Sequence, residues 1–500
     1  MSERYILVID EGTTGTRALI VDRNSQIKAQ AYTEFTQHHP APDRLEHDAG
    51  EIWEASLEMI RQALEKAGLA AGDIAAIGIT NQRATSVVWD RATSQPIGRA
   101  IVWQDTRTAG YIETIRAQWA EKAYGHTGWA LAPVYSSLSL RWMMENVAGA
   151  RARAEAGELA FGTIDSWLIY KLTGGKVHAM AASNASVTGS YDLLNDEWYG
   201  EWLDFLGTPL ALFPKVHDDS GLFGLTDPAV FGAEVPISGA MGDQQAALFG
   251  QHCLEPGMVK CTHGTGTFLD MNIGPKVAIS QNGLNTLIGW RMKGETIYGL
   301  EGYAAVTGSA VQWLRDGAEM IKSSAETEAL ATSVPDNGGV YFVPALTGLS
   351  APYWDSFARG MIIGITRGTQ RAHLVRATLE GIVYATKDFL ETMRRDSGVD
   401  ITSIKVDGGA ARNDFLMQFQ ADMLDAEVVR PINPEATSLG AAYMAGLAID
   451  YWDSPAECFA SGEVDRVFRP EMPVEKRERL YAEWTRAVKR CMGWAQGGQG

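Results

Sequence analysis

The chain has 500 residues, 46% of them hydrophobic, with 15 tryptophans and a formal net charge of -18. This length and apolar content are enough for two large domains, each burying its own core. The acidic balance argues against a general nucleic-acid or anionic-membrane surface, because both need a basic footprint, so any phosphate must be met locally.

Near the start, Tyr5-Ile-Leu-Val-Ile9 reads as a strand, with no signal-peptide core and no apolar run long enough for a bilayer; a cytoplasmic protein is expected. Residues 6–9 and 18–21 flank a glycine turn as a β-hairpin, and 27–35 continue the strand pattern. His38, His39 and His47 fall in a polar loop around Pro40 and Pro42 and read as solvated side chains, not metal ligands. In 51–64, Trp53, Leu57, Ile60 and Leu64 recur at helical spacing, and 74–79 form the next strand. Strand, hairpin, helix and strand in that order predict an α/β fold with a partly antiparallel sheet.

A domain boundary is predicted near residue 250, after Gln245-Ala-Ala-Leu-Phe249, dividing 1–250 from 251–500. The second half repeats the plan. Residues 261–263 and 268–271 flank another glycine turn, 373–395 form a long helix stopped at Gly398, and 404–406 form a strand. The diglycine turn after Asp407 then leads into a helix over 414–424, capped by Asn413 or Asp414. Cys253, Cys261, Cys458 and Cys491 form no CxxC pair and read as buried or incidental thiols of a reducing compartment. Residues 493–500 are predicted to be a disordered tail.

Two segments carry the chemistry: DEGTTGTR at 10–17 and THGTGTF at 262–268, about half a chain apart. Glycine lets a turn bring backbone N–H groups against an anion, and threonine hydroxyls add donors without charge. No GxxxxGK[ST] occurs, no GxGxxG opens a helix after a strand, and protein-kinase motifs are absent. An aspartate in the first hairpin, two glycine-threonine turns and a diglycine turn supply a metal anchor, phosphate donors and a nucleoside surface, which is an ATP-using arrangement.

Further stretches are GITNQR at 78–83, AIVWQ at 100–104, GAMGDQQAALFG at 239–250, GLSAPYWDSFARG at 348–360 and Val406-Asp-Gly-Gly409. With the spacing from Gly360 and Gly364 to His373-Leu374 and Ala377-Thr-Leu-Glu380, they make the chain resemble the FGGY carbohydrate kinases, and among these the glycerol kinases most, from about Tyr5 to the helix around 487–490. The resemblance implies two ribonuclease-H-like domains of the actin and sugar-kinase superfamily around an active-site cleft. It implies transfer of the γ-phosphoryl group of ATP to a small polyol, and a homodimer or homotetramer.

Carried over residue by residue, the resemblance makes Asp243 the general base and Asp10 the anchor of Mg2+, mostly through water. It assigns Thr13, Thr14, Gly15 and Arg17 to the first phosphate hairpin, Thr265 and Gly266 to the second, and Gly308, Gln312, Gly409 and Asn413 to the nucleotide side. Arg83, Trp103, Asp243, Gln244 and Phe268 face the acceptor. Asp243 also reads as a helix N-cap, and Arg17 as an exposed hairpin charge.

Three positions depart from the family pattern. Ala84 stands where a glutamate is expected, and Val134 where a tyrosine is expected, with Tyr135 displaced by one; on a strand that slip turns Tyr135 to the other face. Each hydrogen-bonding partner lost from a polyol site costs about 1–3 kcal/mol. The acceptor is therefore glycerol or, in an enlarged pocket, a C4 to C5 polyol or ketose such as erythritol, threitol or erythrulose. Glu11 replaces the usual glutamine and is expected to bind metal or face Arg17. A reading from another class, a non-catalytic actin-like nucleotide-dependent scaffold, predicts an added peptide- or DNA-binding module and no alcohol-side base.

Overall fold

The computed structural model describes residues 4–304, 307–432, 435–459 and 464–496. In the first half, β1 (Tyr5–Glu11), β2 (Gly15–Val21) and β3 (Ile27–Glu34) precede α1 (Ala49–Ala67) and β4 (Ile74–Asn81). The apolar stripe read from 51–64 lies within α1, whose N-cap Asp48 accepts from the N–H groups of Gly50 and Glu51. After a largely helical insertion come β5 (Ser220–Leu225), β6 (Pro236–Gly242) and α2 (Asp243–Gly250).

The second half contains β7 (Met258–His263), β8 (Thr267–Gly274), β9 (Asn285–Met292) and β10 (Glu295–Ala304), then α3 (Arg371–Ser397), β11 (Ser403–Asp407), α4 (Asp414–Leu424), β12 (Glu427–Pro431), α5 (Ala436–Leu447) and β13 (Val464–Phe468). Asn413, not Asp414, caps α4: its side chain accepts from Leu416 N at 2.9 Å.

The strands form one sheet in the order β13-β12-β11-β7-β8-β10-β9-β5-β6-β4-β1-β2-β3. Its two ends have the same local plan. An antiparallel hairpin, β1/β2 or β7/β8, carries a third antiparallel strand on one side, β3 or β10. On the other side lie two parallel strands, β4 and β6 or β11 and β12. The halves meet through Ser220↔Met292, between β5 and β9. This duplication is the pair of ribonuclease-H-like units expected from the paired glycine turns.

Chain order and packing part company at α5. Although it follows residue 250, it covers β4 and β6, and Leu439, Ala441, Met444 and Ala445 share a core with Ile6, Val8, Leu19 and Val21. The approach is close enough to require glycine: a Cβ on Gly78 would lie 2.4 Å from Ala441 O. Ser238 and Ser220 hydroxyls donate to the carbonyls of Ala445 and Met444, each at 2.8 Å.

The predicted tail is corrected in part. Gly493 N donates to Asp355 Oδ2 at 2.7 Å and Ala495 N to Phe357 O at 2.9 Å, so the start of that segment is tied down; 497–500 lie outside the described residues. All four cysteines are free and buried. Among the described residues no helix is long and apolar enough to cross a membrane.

Candidate active site

The first hairpin turns through Gly12 N donating to Gly15 O at 3.0 Å. Strand alternation sends its charged residues to opposite faces: Asp10 pairs with Arg17, and Glu11 with Thr16. Asp10 accepts from Ser438 Oγ of α5 at 2.6 Å, and Arg17 forms an ion pair with Glu435. With Thr14 and Gly15, these residues line a cavity of about 470 Å³. Loss of water raises the Asp10 pKa above the usual carboxylate range; Ser438 and Arg17 oppose the rise, while the charges of Asp243 and Glu435 add to it. Thr13 Oγ1 accepts from Trp103 Nε1 at 3.0 Å.

The second hairpin turns more tightly, with Gly264 N donating to Gly266 O, two residues on, at 2.9 Å. The N–H groups of Gly308 and Ser309 donate to the carbonyls of Gly264 and Thr265, each at 3.0 Å, tying the turn to the following helix. Thr265, Gly308, Gln312, Gly409 and Asn413, predicted from widely separated parts of the chain, line one cavity of about 750 Å³. The predicted Gly266 stays beneath it; a Cβ there would lie 2.5 Å from Ala304 O.

Between the hairpins, Asp243 opens α2 and accepts from Gln244 N at 2.7 Å. Arg83 Nε lies 3.3 Å from Asp243 Oδ1, and its guanidinium sits over the Trp129 ring at 5.7 Å. Burial raises the Asp243 pKa, against the pull of Arg83, the Gln244 N–H and Lys260. Gln244 Oε1 accepts from the buried Lys260 Nζ, which also donates to Asp270 at 3.0 Å. Phe268 packs on Tyr303 with ring centroids 4.4 Å apart, and Trp103 is 37% exposed. The Asp243 carboxylate, the Arg83 guanidinium and the aromatic faces of Trp129, Phe268 and Tyr303 thus belong to the region between the two glycine turns.

The N-terminal domain of the FGGY family of carbohydrate kinases matches residues 5–250, and the C-terminal domain of the same family matches 259–449. The chain belongs to the FGGY family of carbohydrate kinases. Glycerol kinase 2 of Thermotoga maritima is 50% identical over 492 residues, 98% of this chain and 99% of that protein. A glycerol kinase of Plasmodium falciparum, solved with ADP, superposes with a TM-score of 0.93 at 32% identity and covers 98% of both chains. A ligand-bound xylulose kinase of Lactobacillus acidophilus shares the fold at a TM-score of 0.86 and 21% identity, over 98% of this chain and 99% of that one. As an FGGY kinase, the protein is an enzyme that phosphorylates an alcohol, not an actin-like scaffold.

Several FGGY-based expectations need correction. Tyr135 is not on a strand; it caps the helix Ser136–Asn146, is fully buried and donates its hydroxyl to Trp129 O, with Thr127 Oγ1 3.0 Å away. Its hydroxyl is spent inside the helical core and is not an acceptor-side group. Val134, half-buried, packs against that core. Ala84 is buried with φ +60°, its carbonyl accepting from the Ser136 and Ser86 hydroxyls at 2.9 and 3.1 Å.

Glu11 neither faces Arg17 nor reaches the cleft. It is fully buried, accepting from Ser56 Oγ at 2.6 Å and Thr16 Oγ1 at 2.9 Å, and burial pushes its pKa up to about 8. His47 is not solvated: its Nε2 lies 2.8 Å from Gln37 Oε1 and its Nδ1 3.4 Å from Gln82 Nε2. Those glutamines donate to the hairpin carbonyls of Thr13 and Gly12, each at 3.1 Å.

Sequence reasoning also missed Lys260, Asp270, His263 and Glu301. The alternation of Lys260 with Thr262, and of Glu301 with Tyr303, is the pattern that puts charged side chains on a cleft-facing row of a strand.

Proposed function

We propose that the protein transfers the γ-phosphoryl group of ATP to a hydroxyl of glycerol or a close polyol. One observation supports the reading: Asp10 of β1 and Met241 of β6 pair with the same residue, Thr80 of β4, so the first hairpin lies two strands from Asp243, which is paired with Arg83. Glycerol is favoured by the full-length relatives at 50% identity. A larger polyol is the second reading, because Ala84 and Val134 leave the pocket without two expected polar side chains.

In this reading Arg83 and Trp103 hold the acceptor, and Asp243 takes its proton as the hydroxyl oxygen bonds to phosphorus and the bond to the departing ADP oxygen breaks. Thr13, Thr14, Gly15 and Arg17 meet the phosphates from one side and Thr265 and Gly266 from the other, while Gly308, Gln312, Gly409 and Asn413 hold the nucleoside. Residues 1–250 then supply acceptor site and base, and 251–500 the nucleotide site.

The donor set fits Mg2+. Asp10, on the first phosphate hairpin, accepts from Ser438 Oγ through one oxygen and has lone pairs left on its carboxylate. That suits an ion held through one carboxylate, water and phosphate. Asp10 would hold it, and it would supply charge neutralisation at the transferred phosphate. Work in the cytoplasm as a homo-oligomer belongs to the same reading and rests on family resemblance.

The test is acceptor-dependent ADP release over glycerol, erythritol, threitol, ribitol, xylitol, erythrulose and dihydroxyacetone. Turnover of glycerol or a C4–C5 acceptor is expected, and turnover of none refutes the reading. Asp243→Asn should lower kcat by about 1,000-fold or more, within the range contributed by general-base catalysis, while ADP still raises Tm as in the wild type. Retained turnover would move the base elsewhere.

A further inference from the structure

Glu301 has no role in the assignment above, yet its carboxylate contacts Arg83, which that assignment gives to the acceptor. On β10 it pairs with Asp270 of β8 and Asn285 of β9. Alternation puts it on the same sheet face as Tyr303, whose ring covers Phe268. Its side chain is 6% exposed, and a carboxylate that deep must be met by partners.

The partners present do not complete it. Asn285 Nδ2 donates to Oε1 at 3.3 Å. Arg83 Nη2 forms an ion pair with the buried Oε2 at 2.6 Å. Asp270, directly across the ladder, is held instead by Lys260 Nζ at 3.0 Å. A carboxylate offers about four lone-pair sites, so acceptor capacity remains on Glu301. That capacity is one side chain from the reacting centre, because the same Arg83 contacts both Glu301 and Asp243. Beside Arg83, Ala84 brings no carboxylate of its own.

We propose that Glu301 determines acceptor specificity: it accepts a hydrogen bond from a hydroxyl of the acceptor other than the one attacking phosphorus, in place of the carboxylate that position 84 lacks. A hydroxyl can donate to it, whereas a ketone oxygen would meet it lone pair to lone pair. At that carbon the pocket selects polyols over ketoses. This rests on the polyol-kinase reading.

The experiment is ADP release by full-length Glu301→Gln on glycerol with propane-1,2-diol and propane-1,3-diol, and on erythritol with butane-1,2,4-triol. For the parent acceptor that the wild type uses, kcat/KM should fall about 10- to 100-fold, chiefly through KM, as expected for a hydrogen bond to a charged group. At least one deoxy analogue, lacking the hydroxyl in question, should fall less than about threefold, because it has no such bond to lose. Glu301→Asp, which keeps the charge but withdraws it by one methylene, should give the same pattern more weakly and serves if the glutamine variant does not fold. Equal losses on parent and every deoxy analogue would make Glu301 a brace for Arg83 and overturn the proposal. A wild type with no acceptor-dependent ADP release would refute the polyol-kinase reading itself.

Discussion

His47 supports the turn at 11–15 and His263 the turn at 263–267; both rings are buried, and burial lowers the pKa of each. His47 works through Gln37 and Gln82, and His263 through Thr267 at 3.1 Å and Gln420 at 2.8 Å. Beyond that likeness the chemistry diverges. The first hairpin carries Asp10, Glu11 and the Arg17–Glu435 ion pair, whereas the second is braced by neutral Thr267, Thr307, Gln420 and Cys261. Duplication has kept the turn and its histidine support, but charged groups flank the first turn itself, whereas the second hairpin keeps its ion pair, Lys260 with Asp270, farther along its strands.

The difference also predicts how each wall responds to pH. His47 has its folded pKa pulled down from 6.5 to about 4, so the stability it brings is full above about 6.5 and is lost as pH falls through about 4. His263, with a lowered pKa, fails in the same acid direction. Glu11 runs the other way: its pKa rises from 4.5 to about 8, so its contribution is full below about 4.5 and is lost as pH rises through about 8. Through His47 and Glu11 the first turn is thus exposed on both sides of neutrality, while His263 exposes the second on the acid side.

The largest effect expected from this asymmetry is on turnover. Asp10→Asn should cut kcat by about 100-fold or more at saturating ATP, since the segment from Thr262 to Phe268 at the second turn has no carboxylate to take over; kcat within about threefold of wild type would break the contrast. Next come the shared supports. His47→Leu and His263→Leu should each destabilise the protein in urea unfolding by about 1–3 kcal/mol per polar partner left unpaired. A cost at only one site would show that the second histidine is incidental. The smallest effect is Glu11→Gln. A tenfold change in proton affinity is worth about 1.4 kcal/mol, so even a modest part of the Glu11 change that survives relaxation gives about 1 kcal/mol of added stability at pH 8. No such gain is expected at pH 5, and equal gains at both pH values would remove the electrostatic account.

Legibility follows how local each cause is. The hairpins, α1 and α3 are readable from alternation, helical spacing and glycine stops, and the gathering of Thr265, Gly308, Gln312, Gly409 and Asn413 at one cavity from motifs in fixed order. His47 is misread from sequence because its burial comes from Gln37 and from Gln82, which follows β4, not from its polar neighbours. Tyr135 is misread because a helix start passes for a strand, which gives a one-residue slip the wrong geometric consequence. Glu301 is invisible because its setting depends on three strands meeting in register, Asp270 against Glu301 against Asn285.

The insertion of α5 against β4 and β6 has a consequence for how the chain is made. During synthesis, the face of the first sheet bearing Ile6, Val8, Leu19 and Val21 emerges early, but its cover, Leu439 to Leu447, is nearly the last part of the fold to leave the ribosome. Until then that oily face lacks this part of its native lid. Premature termination before residue 436 would therefore leave Ile6, Val8, Leu19 and Val21 with only the α2 part of their native cover, Ala246, Leu248 and Phe249.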